Sequence, residues 1–467
     1  MTFGPYFGHN RQFSSLCNRT STVINNQYVD DGKSLGMHEW NRKNATLSQI
    51  LGVMLGLMSV LKFLAPIFFG GVSLSFGARV WSMRSAKVAS GLILFCVTAL
   101  TLDLYHEGFE FIHYETTHAL IIIAIITIPL AGLFLLQVSH QSQIERGILL
   151  GLYGAIFLLS LDQYYFGQCR ASGFFFGKSI NPLLITFSLT PIALFTIMDR
   201  LEEGRYNIFD FGLCVLLLPA TGALAGHRAA FYTVIIIYAL MVLFYLLNAR
   251  KKAFLLSAAL VIGMSLTVFS DNYTGCGFYN RVSNQKPLLD FYETFETIVE
   301  KFETSFLSLA LSPVFADSAL AMDVTKINDH EIVKATPVLE SSSAWRILLW
   351  HRFFEFSGSE AFNWIIGEGR KAERAITPPF AHLHNQFCSY LVQGGLLKIL
   401  ASLLLVLPLF KQMLASPPVV AFLLMYAGQF MSNSPLWNSA SLPQFLISVL
   451  FVTCALKVKN ENSLNVL

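Results

Sequence analysis

Two histidines, an asparagine and a pair of glycines lie where a polar stretch meets an apolar one, in the segment AHLHNQFCSYLVQGGLLKIL at residues 381–400. Polar groups cost free energy in hydrocarbon, so their place at the mouth of an apolar helix needs a reason. A neutral imidazole can accept a proton from a hydroxyl group near pH 7. His384, followed by Asn385, is therefore a candidate general base that activates a sugar hydroxyl. Gly394 and Gly395 should let another segment pack closely against the helix start.

One arginine stands in the small-residue segment TGALAGHRAAF at residues 221–231. Arg228 lies where a turn is expected to join two apolar helices, so it would add a fixed cation to the positive end of the second helix. That combination favours a diphosphate group. The small residues around it would let a bulky anion approach. The alternative is an interfacial arginine whose side chain extends to the lipid headgroups.

The segment SSSAWRILLWHRFFEF at residues 341–356 predicts an amphipathic helix with a serine N-cap. Arg346 and Trp350 are four positions apart, so they share one helix face. An aromatic ring beside a guanidinium suits a sugar phosphate, since the ring stacks on the sugar and the cation binds the phosphate. The alternative is a helix that lies on the membrane surface, and the two interpretations are compatible.

Further positive charge follows in NWIIGEGRKAER at residues 363–374. Gly367 and Gly369 should form a tight turn. Arg370 and Arg374 are candidate substrate-binding residues, because they lie close in sequence to the histidine segment.

The elements that position these residues are predicted to be membrane helices. Of the 467 residues, 54% are hydrophobic and only 13% are charged, with a mean hydropathy of +0.55, whereas a soluble domain has about 25% charged residues. We predict an all-α, polytopic integral membrane protein. The net charge of +3 is small and basic residues form short clusters, so no nucleic-acid partner is expected. About twelve apolar runs could span a membrane, at 47–63, 65–81, 86–103, 118–138, 147–166, 180–198, 207–226, 229–248, 253–270, 395–411, 418–434 and 441–457.

Basic residues orient these spans. They precede the first span, lie between the second and third, and follow the eighth and the last, so all of them fall on one side. The positive-inside rule assigns that side to the cytoplasm, together with both termini. The loop 103–118 has four acids and no Lys or Arg, which suits the opposite side. The predicted divisions are a cytoplasmic tail, nine transmembrane helices, a large periplasmic loop, three transmembrane helices and a second cytoplasmic tail, at 1–46, 47–270, 271–382, 383–458 and 459–467.

The insertion at 271–382 is far too long to be a simple connector, so it is predicted to be a functional lid or domain on the outer side. A second, short outer loop carries Arg170, a further candidate substrate-binding residue. Cys169 and Cys276 both fall in outer loops, and a disulfide between them is one alternative, free thiols being the other.

The candidate residues converge on one side of the membrane. One base and several arginines lie there, without a DxD-type metal site or a carboxylate pair. This pattern favours metal-independent transfer from a lipid-linked diphosphate sugar, in which arginines neutralise the leaving diphosphate. Neither a metal nor a cofactor is predicted. Each histidine alone could be an ordinary interfacial residue, and we assign His382 to that class.

With GHRAAF, WRILLW, IIGEGR and HNQF…GG in that order, and a large outer loop before the last, the sequence resembles the O-antigen ligase and polymerase superfamily of bacterial inner membranes. The resemblance covers about residues 90–457. Two positions depart from the ligase pattern. Lys398 stands where the family has the final glycine, and His227 stands where it usually has a small residue.

The resemblance implies a GT-C-like glycosyltransferase architecture with a periplasmic active site. His384 would be the catalytic base, and Arg228 and Arg346 would bind the undecaprenyl diphosphate of the donor. A ligase moves polysaccharide from that carrier to a sugar of lipid A–core, within surrounding membrane lipids. A polymerase extends the lipid-linked glycan instead, and a related transferase moves glycan to protein. The single dominant outer loop favours the ligase.

A polysaccharide or lipid transporter is the alternative from another class. Such a protein should show two similar halves and ionisable or interrupted spans near the midplane. The sequence shows no internal repeat, and its polar groups gather at one side, so the transferase is the favoured prediction.

Overall fold

The computed structural model describes residues 34–61, 64–109, 115–137, 140–166, 182–278, 342–359, 362–377, 383–413, 416–432 and 441–464. Within these ranges every regular element is a helix, so the predicted all-α class is confirmed. In chain order the helices are α1 (Ser34–Leu57), α2 (Leu64–Phe76), α3 (Met83–Glu107), α4 (Glu115–Leu136), α5 (Gln141–Phe166), α6 (Pro182–Glu202), α7 (Ile208–Pro219), α8 (Arg228–Asn248), α9 (Arg250–Thr274), α10 (Ser342–Ser357), α11 (Gly369–Ile376), α12 (Gln386–Met413), α13 (Pro417–Ser432) and α14 (Ser441–Leu464).

The described helices include six that are long and apolar enough to cross a membrane, namely Met83–Glu107, Thr116–Leu136, Gln141–Tyr165, Arg228–Asn248, Arg250–Thr274 and Gln386–Phe410. Shorter apolar helices occur at Pro66–Phe76, Ile208–Leu224, Pro417–Met431 and Ser441–Lys457. Each of the twelve predicted spans overlaps one of α1–α9 or α12–α14. The chain is therefore a multi-pass membrane protein by its helices, whereas the number twelve stays a prediction.

The first helix extends beyond the apolar run. The first span was predicted to begin at residue 47, and α1 already begins at Ser34, within the predicted tail. Its early turns are polar, which explains why the apolar run alone placed the start later.

The helix ends form two polar faces. At one of them α5 begins and α6 ends, so that Arg200 of α6 pairs with Glu145 of α5 at 3.4 Å. Lys252 near the start of α9 pairs with Glu202 at the end of α6. We call this end the basic face, since the basic clusters of the sequence lie there. The end where α3 finishes and α8 and α12 begin is the far face.

Two glycine motifs join α1 to α5. A Cβ atom added to Gly52 of α1 would lie 2.1 Å from the Ile144 carbonyl oxygen, and one added to Gly147 of α5 would lie 2.2 Å from the Gln49 oxygen. Gly56 and Gly151 repeat the pattern one turn later. Small residues spaced by four let membrane helices approach closely, so that backbone dispersion and Cα–H···O contacts hold them.

Aromatic side chains fill the space between α6, α13 and α14. The ring of Tyr426 lies 5.0 Å from that of Phe187 and 4.8 Å from that of Phe445, in edge-to-face geometry. Phe430 adds a further ring 5.4 Å from Phe445. These packed aromatic rings stabilise the far-face end of α13, which lies beside the candidate site.

Candidate functional site

His384 has an unusual backbone. Its φ of 54° makes it the one non-glycine residue with a positive φ among the described parts of the chain. A left-handed conformation costs free energy for a residue with a Cβ, so the surrounding structure must enforce it. Such outliers cluster at functional sites. The observation agrees with the choice of His384 over its neighbours.

Asn385 caps the helix that follows it. Its Oδ1 accepts hydrogen bonds from the backbone N–H groups of Phe387, at 3.0 Å, and Cys388, at 3.2 Å. Asn385 is thus the N-cap of α12, and its side chain satisfies donors that the first helical turn leaves open. His384 therefore precedes a capped helix end, where it is half-buried. Asn385 itself is 6% exposed, so its side chain serves the helix.

A buried carboxylate ties this segment to α11. Glu373 is fully buried and accepts hydrogen bonds from the Leu383 backbone N–H at 3.2 Å, the Ser389 hydroxyl at 2.5 Å and the Gln393 amide at 2.5 Å. One bond reaches the residue directly before His384, and two reach the first turns of α12. Glu373 is consequently a positioning residue for His384.

The same side chains continue into an ion network. Arg370 of α11 pairs with Asp103 of α3 at 2.6 Å, and Lys398 of α12 lies 3.6 Å from Asp103. The Lys398 amine also donates to the Gln393 amide oxygen at 2.8 Å. We call Asp103, Arg370, Glu373, Gln393 and Lys398 the far-face network. All five are at most 5% exposed, and two cations balance two carboxylates. Buried charges are tolerated only when paired in this way.

Backbone contacts lock the glycines together. The helix α12 is interrupted at Gly394 and Gly395, which have non-helical φ and ψ. After the interruption, Leu396 and Leu397 donate their N–H groups to the carbonyls of Trp364 and Ile365, at 2.8 and 3.1 Å. A Cβ on Gly395 would lie 2.4 Å from the Ile365 carbonyl group. The predicted close approach at this glycine pair is confirmed.

The turn before α11 uses the two glycines expected there. Gly367 and Gly369 have φ values of 70° and 86°. The end of α3 supports the turn, since a ring nitrogen of His106 lies 2.8 Å from the Ile366 carbonyl oxygen and Glu107 accepts from the Lys371 N–H at 3.0 Å. Residues of the stretch 103–118, predicted to be an acidic outer loop, thus contact the basic segment 363–374.

Arg228 is the first residue of α8 and is half-buried. Its neighbour His227 is the N-cap, with a ring nitrogen 2.7 Å from the Thr186 hydroxyl. The small residues before it have a packing role. A Cβ on Gly222 would lie 3.0 Å from the Phe231 and Phe278 rings, and a short π-helix at Ala220–Leu224 is fully buried. Packing therefore accounts for Gly222 and its neighbours in the π-helix, and the approach of an anion past the small residues beside Arg228 stays a prediction.

Contacts connect the Arg228 region to the histidine segment along the far face. The Gln429 amide of α13 donates to the Thr186 carbonyl at 3.2 Å. The next residue, Phe430, lies edge to face with Phe387, with ring centroids 6.4 Å apart. A few contacts therefore lead from His227 to the N-cap of α12.

The remaining predicted site residues fall in different surroundings. Arg374 is exposed on α11. Arg370 is buried and already pairs with Asp103. The substrate-binding role of both arginines stays a prediction. Trp350 of α10 is half-buried, and its indole nitrogen has no hydrogen-bond acceptor among the described residues. The predicted helix around Arg346 is confirmed as α10, but its side chain and all of Arg170 lie outside the described residues.

The helix α10 covers the site through a small second core. Leu349 and Phe353 are buried together with Ile376 of α11, with Val392 of α12 and with Leu383, which precedes α12. Burial of these apolar side chains holds α10 against the His384 segment. This contact brings the WRILLW motif next to the HNQF motif.

An apolar cavity opens beside the site. It has a volume of about 290 Å³ and lies between α12, α13 and α14. Gln386 and Phe387 line it at the far face, directly after the N-cap, and Phe410 lines it toward the basic face. Its remaining lining is almost wholly apolar, which suits a hydrocarbon chain.

Cys276 is disulfide-bonded, and Cys96, Cys214, Cys388 and Cys454 are free. Cys169, its partner in the sequence-based hypothesis, lies outside the described residues.

Sequence reasoning missed Asp103, Glu107 and Glu373. The signal was the charge complementarity between the acidic stretch 103–118, which begins in the last turns of α3, and the basic stretch at 370–374. Lys398, which seemed a departure from a family motif, is a member of the far-face network.

The geometry brings a candidate base, a half-buried arginine and an apolar cavity to one face. The comparison with models of known protein families gives no match, and no curated protein is similar enough in sequence to match.

Proposed function

We propose that the protein is a glycosyltransferase of the O-antigen ligase type. It transfers polysaccharide from undecaprenyl diphosphate to a sugar hydroxyl of lipid A–core. The observation that carries the proposal is the left-handed conformation of His384, directly before the N-cap of α12, in a segment that the buried Glu373 binds through the Leu383 N–H. An imidazole fixed in this way is a suitable general base for an acceptor hydroxyl.

The donor substrate requires two further features of the site. Its diphosphate leaving group needs cations, which Arg228 at the start of α8 and Arg346 on α10 would provide without a metal. Its polyprenyl chain needs an apolar channel at the same depth. The cavity lined by Phe387 and Phe410 would take a segment of that chain.

Two observations support a periplasmic far face and cytoplasmic termini in a bacterial inner membrane. The basic clusters lie at the opposite end, as the positive-inside rule requires of a cytoplasmic face. Cys276, just after α9 at the far face, is disulfide-bonded, and disulfides persist in oxidising compartments such as the periplasm. The twelve spans and the large periplasmic loop belong to this proposal.

The test uses purified protein in detergent with a metal chelator. One tube contains polymer-bearing undecaprenyl diphosphate and rough lipopolysaccharide, and a second contains the carrier with a single repeat. We expect lipid A–core bearing polymer in the first tube, and no such product from His384→Ala. Lengthening of the lipid-linked glycan in the second tube alone would make the protein a polymerase. If neither tube shows turnover with folded protein, the transferase proposal fails.

A further inference from the structure

A second polar cavity lies at the basic face, away from the far-face network. Its volume is about 550 Å³, and its wall comes from α1, the first turns of α5, the end of α6, the α6–α7 loop and the start of α7. None of its lining residues belongs to the proposed transfer site.

The wall of this cavity is cationic. Arg146, Arg200 and Arg205 line it, and no aspartate or glutamate does so among the described residues. The carboxylates stand behind the guanidinium groups. Arg200 donates to Asp210 at 2.7 Å, and Arg205 pairs with Glu145 at 2.8 Å.

These carboxylates, together with Glu203, orient Arg200 and Arg205, and none of them pairs with Arg146. Burial tends to lower the pKa of Arg205, but Glu145 and Glu203 raise it overall, so its guanidinium stays charged. Arg146 is exposed on α5 and makes no ion pair with another described residue. A ligand in the cavity would therefore meet Arg146 with its charge uncompensated.

The cavity also changes from polar to apolar along α5. Ser142 and Arg146 line its outer part, and Leu150, one further turn along, lines its inner part. Leu150 is 57% exposed and Phe209, on the opposite wall, is 65% exposed. Because α5 is a membrane-spanning helix by length and composition, these apolar side chains face lipid and the cavity opens sideways.

We infer that this cavity is a binding site for an anionic glycerophospholipid. The headgroup phosphate lies between Arg146 and Arg205, and the acyl chains run out past Leu150 and Phe209. Basic pockets between membrane helices are suited to such headgroups. A soluble anion would use the arginines equally well but would leave the apolar half of the cavity unused.

The test measures the thermal unfolding midpoint of the full chain in detergent during titration with phosphatidylglycerol, phosphatidylcholine or inorganic phosphate. We expect saturable stabilisation by phosphatidylglycerol alone. Arg146→Ala should raise the half-saturating concentration about tenfold, as expected for one charge-assisted contact. Ser142→Glu should also raise the half-saturating concentration, because the new carboxylate repels the phosphate. The substitution should not destabilise α5, because an acidic residue in the first turn of a helix is favourable.

The matched control is Arg250→Ala, because Arg250 is an exposed arginine in the first turn of a span at the same face and does not line the cavity. It should shift the half-saturating concentration less than about twofold. Equal weakening by Arg146→Ala and Arg250→Ala would overturn the site in favour of diffuse surface charge. Equal stabilisation by phosphatidylcholine, or by inorganic phosphate, would overturn the anionic lipid as the ligand. The midpoint of each variant without lipid shows that it is folded.

Discussion

Both faces of the bundle bury charged side chains, but with different backbone geometry. At the basic face, Arg200 and Asp210 lie at the regular ends of α6 and α7, and Arg205 lies in the short loop between these helices. Asn207 and Asp210 even form a capping box. At the far face, Asp103 and Arg370 are 267 positions apart, and the network holds a broken helix and a left-handed histidine. Local backbone preference favours the conformation of the basic-face cluster and disfavours that of the far-face network. Strain of that kind persists where function requires it.

The strongest way to break this comparison is to remove the imidazole. His384→Ala should lower polysaccharide transfer by about 100- to 10,000-fold, the contribution of a general base. His384→Asn should do the same with less effect on folding, because asparagine tolerates a positive φ. The assay is glycan transfer to rough lipopolysaccharide by purified protein. His382→Ala is the control and should transfer normally. Near-normal turnover by His384→Asn would place the chemistry elsewhere.

The two buried ion clusters can be compared directly. Asp103→Asn leaves Arg370 and Lys398 without their carboxylate, whereas Asp210→Asn removes the closer carboxylate of Arg200 and leaves Glu145 at 3.4 Å. Asp103→Asn should lower the free energy of unfolding by about 3–5 kcal/mol, because buried cations remain uncompensated. Asp210→Asn should cost less, because Arg200 keeps one carboxylate. Denaturation in detergent measures this loss. Only Asp103→Asn should also reduce transfer by the protein that stays folded. Equal residual activity in both variants would contradict a functional role for the far-face network.

Two arginines that begin consecutive helices form the next pair. Arg228 starts α8 at the far face, and Arg250 starts α9 at the basic face. Arg228→Ala should reduce kcat about 100- to 1,000-fold, as for the loss of one group that stabilises charge in a transition state. Arg250→Ala should leave kcat unchanged. Initial rates at saturating donor separate the two, and a similar loss in both would point to general electrostatics.

A smaller difference should distinguish charge from geometry at Arg346. Arg346→Ala should cause a severe loss of transfer. Arg346→Lys should recover only part of the rate, because a lysine offers a point charge without the planar bidentate fork. The measurement is the rate of the two variants relative to the wild type. Full recovery with lysine would show that charge alone matters there.

The smallest effect concerns the broken helix. Gly395→Ala introduces a Cβ 2.4 Å from the Ile365 carbonyl group at a φ of 58°, so it should destabilise the fold by about 1–3 kcal/mol. Gly71→Ala is the control. Gly71 is helical, with nothing within 4 Å of an added Cβ, so the change should be neutral or slightly stabilising. The thermal unfolding midpoints of the two variants are compared. An unchanged midpoint for Gly395→Ala would show that the backbone at Ile365 moves to accommodate the added Cβ.

Composition and local pattern were enough to establish the helical class, the positions of the apolar runs, the glycine contacts near residue 395 and the helix around Trp350. These follow from hydropathy, periodicity and backbone freedom, which act over a few residues. The same kind of reasoning did not show that α1 extends back to Ser34 or that Gly222 packs against Phe231 and Phe278. It also treated Lys398 as a departure from a pattern.

Only the tertiary structure assigned partners to the buried charges. Asp103, Glu373 and Lys398 come from three helices, and no spacing in the chain indicates that they meet. A buried ion is stable only beside its counter-charge and its hydrogen-bond partners. That condition depends on which helices pack together, so it is decided by the fold as a whole and not by any segment of the sequence.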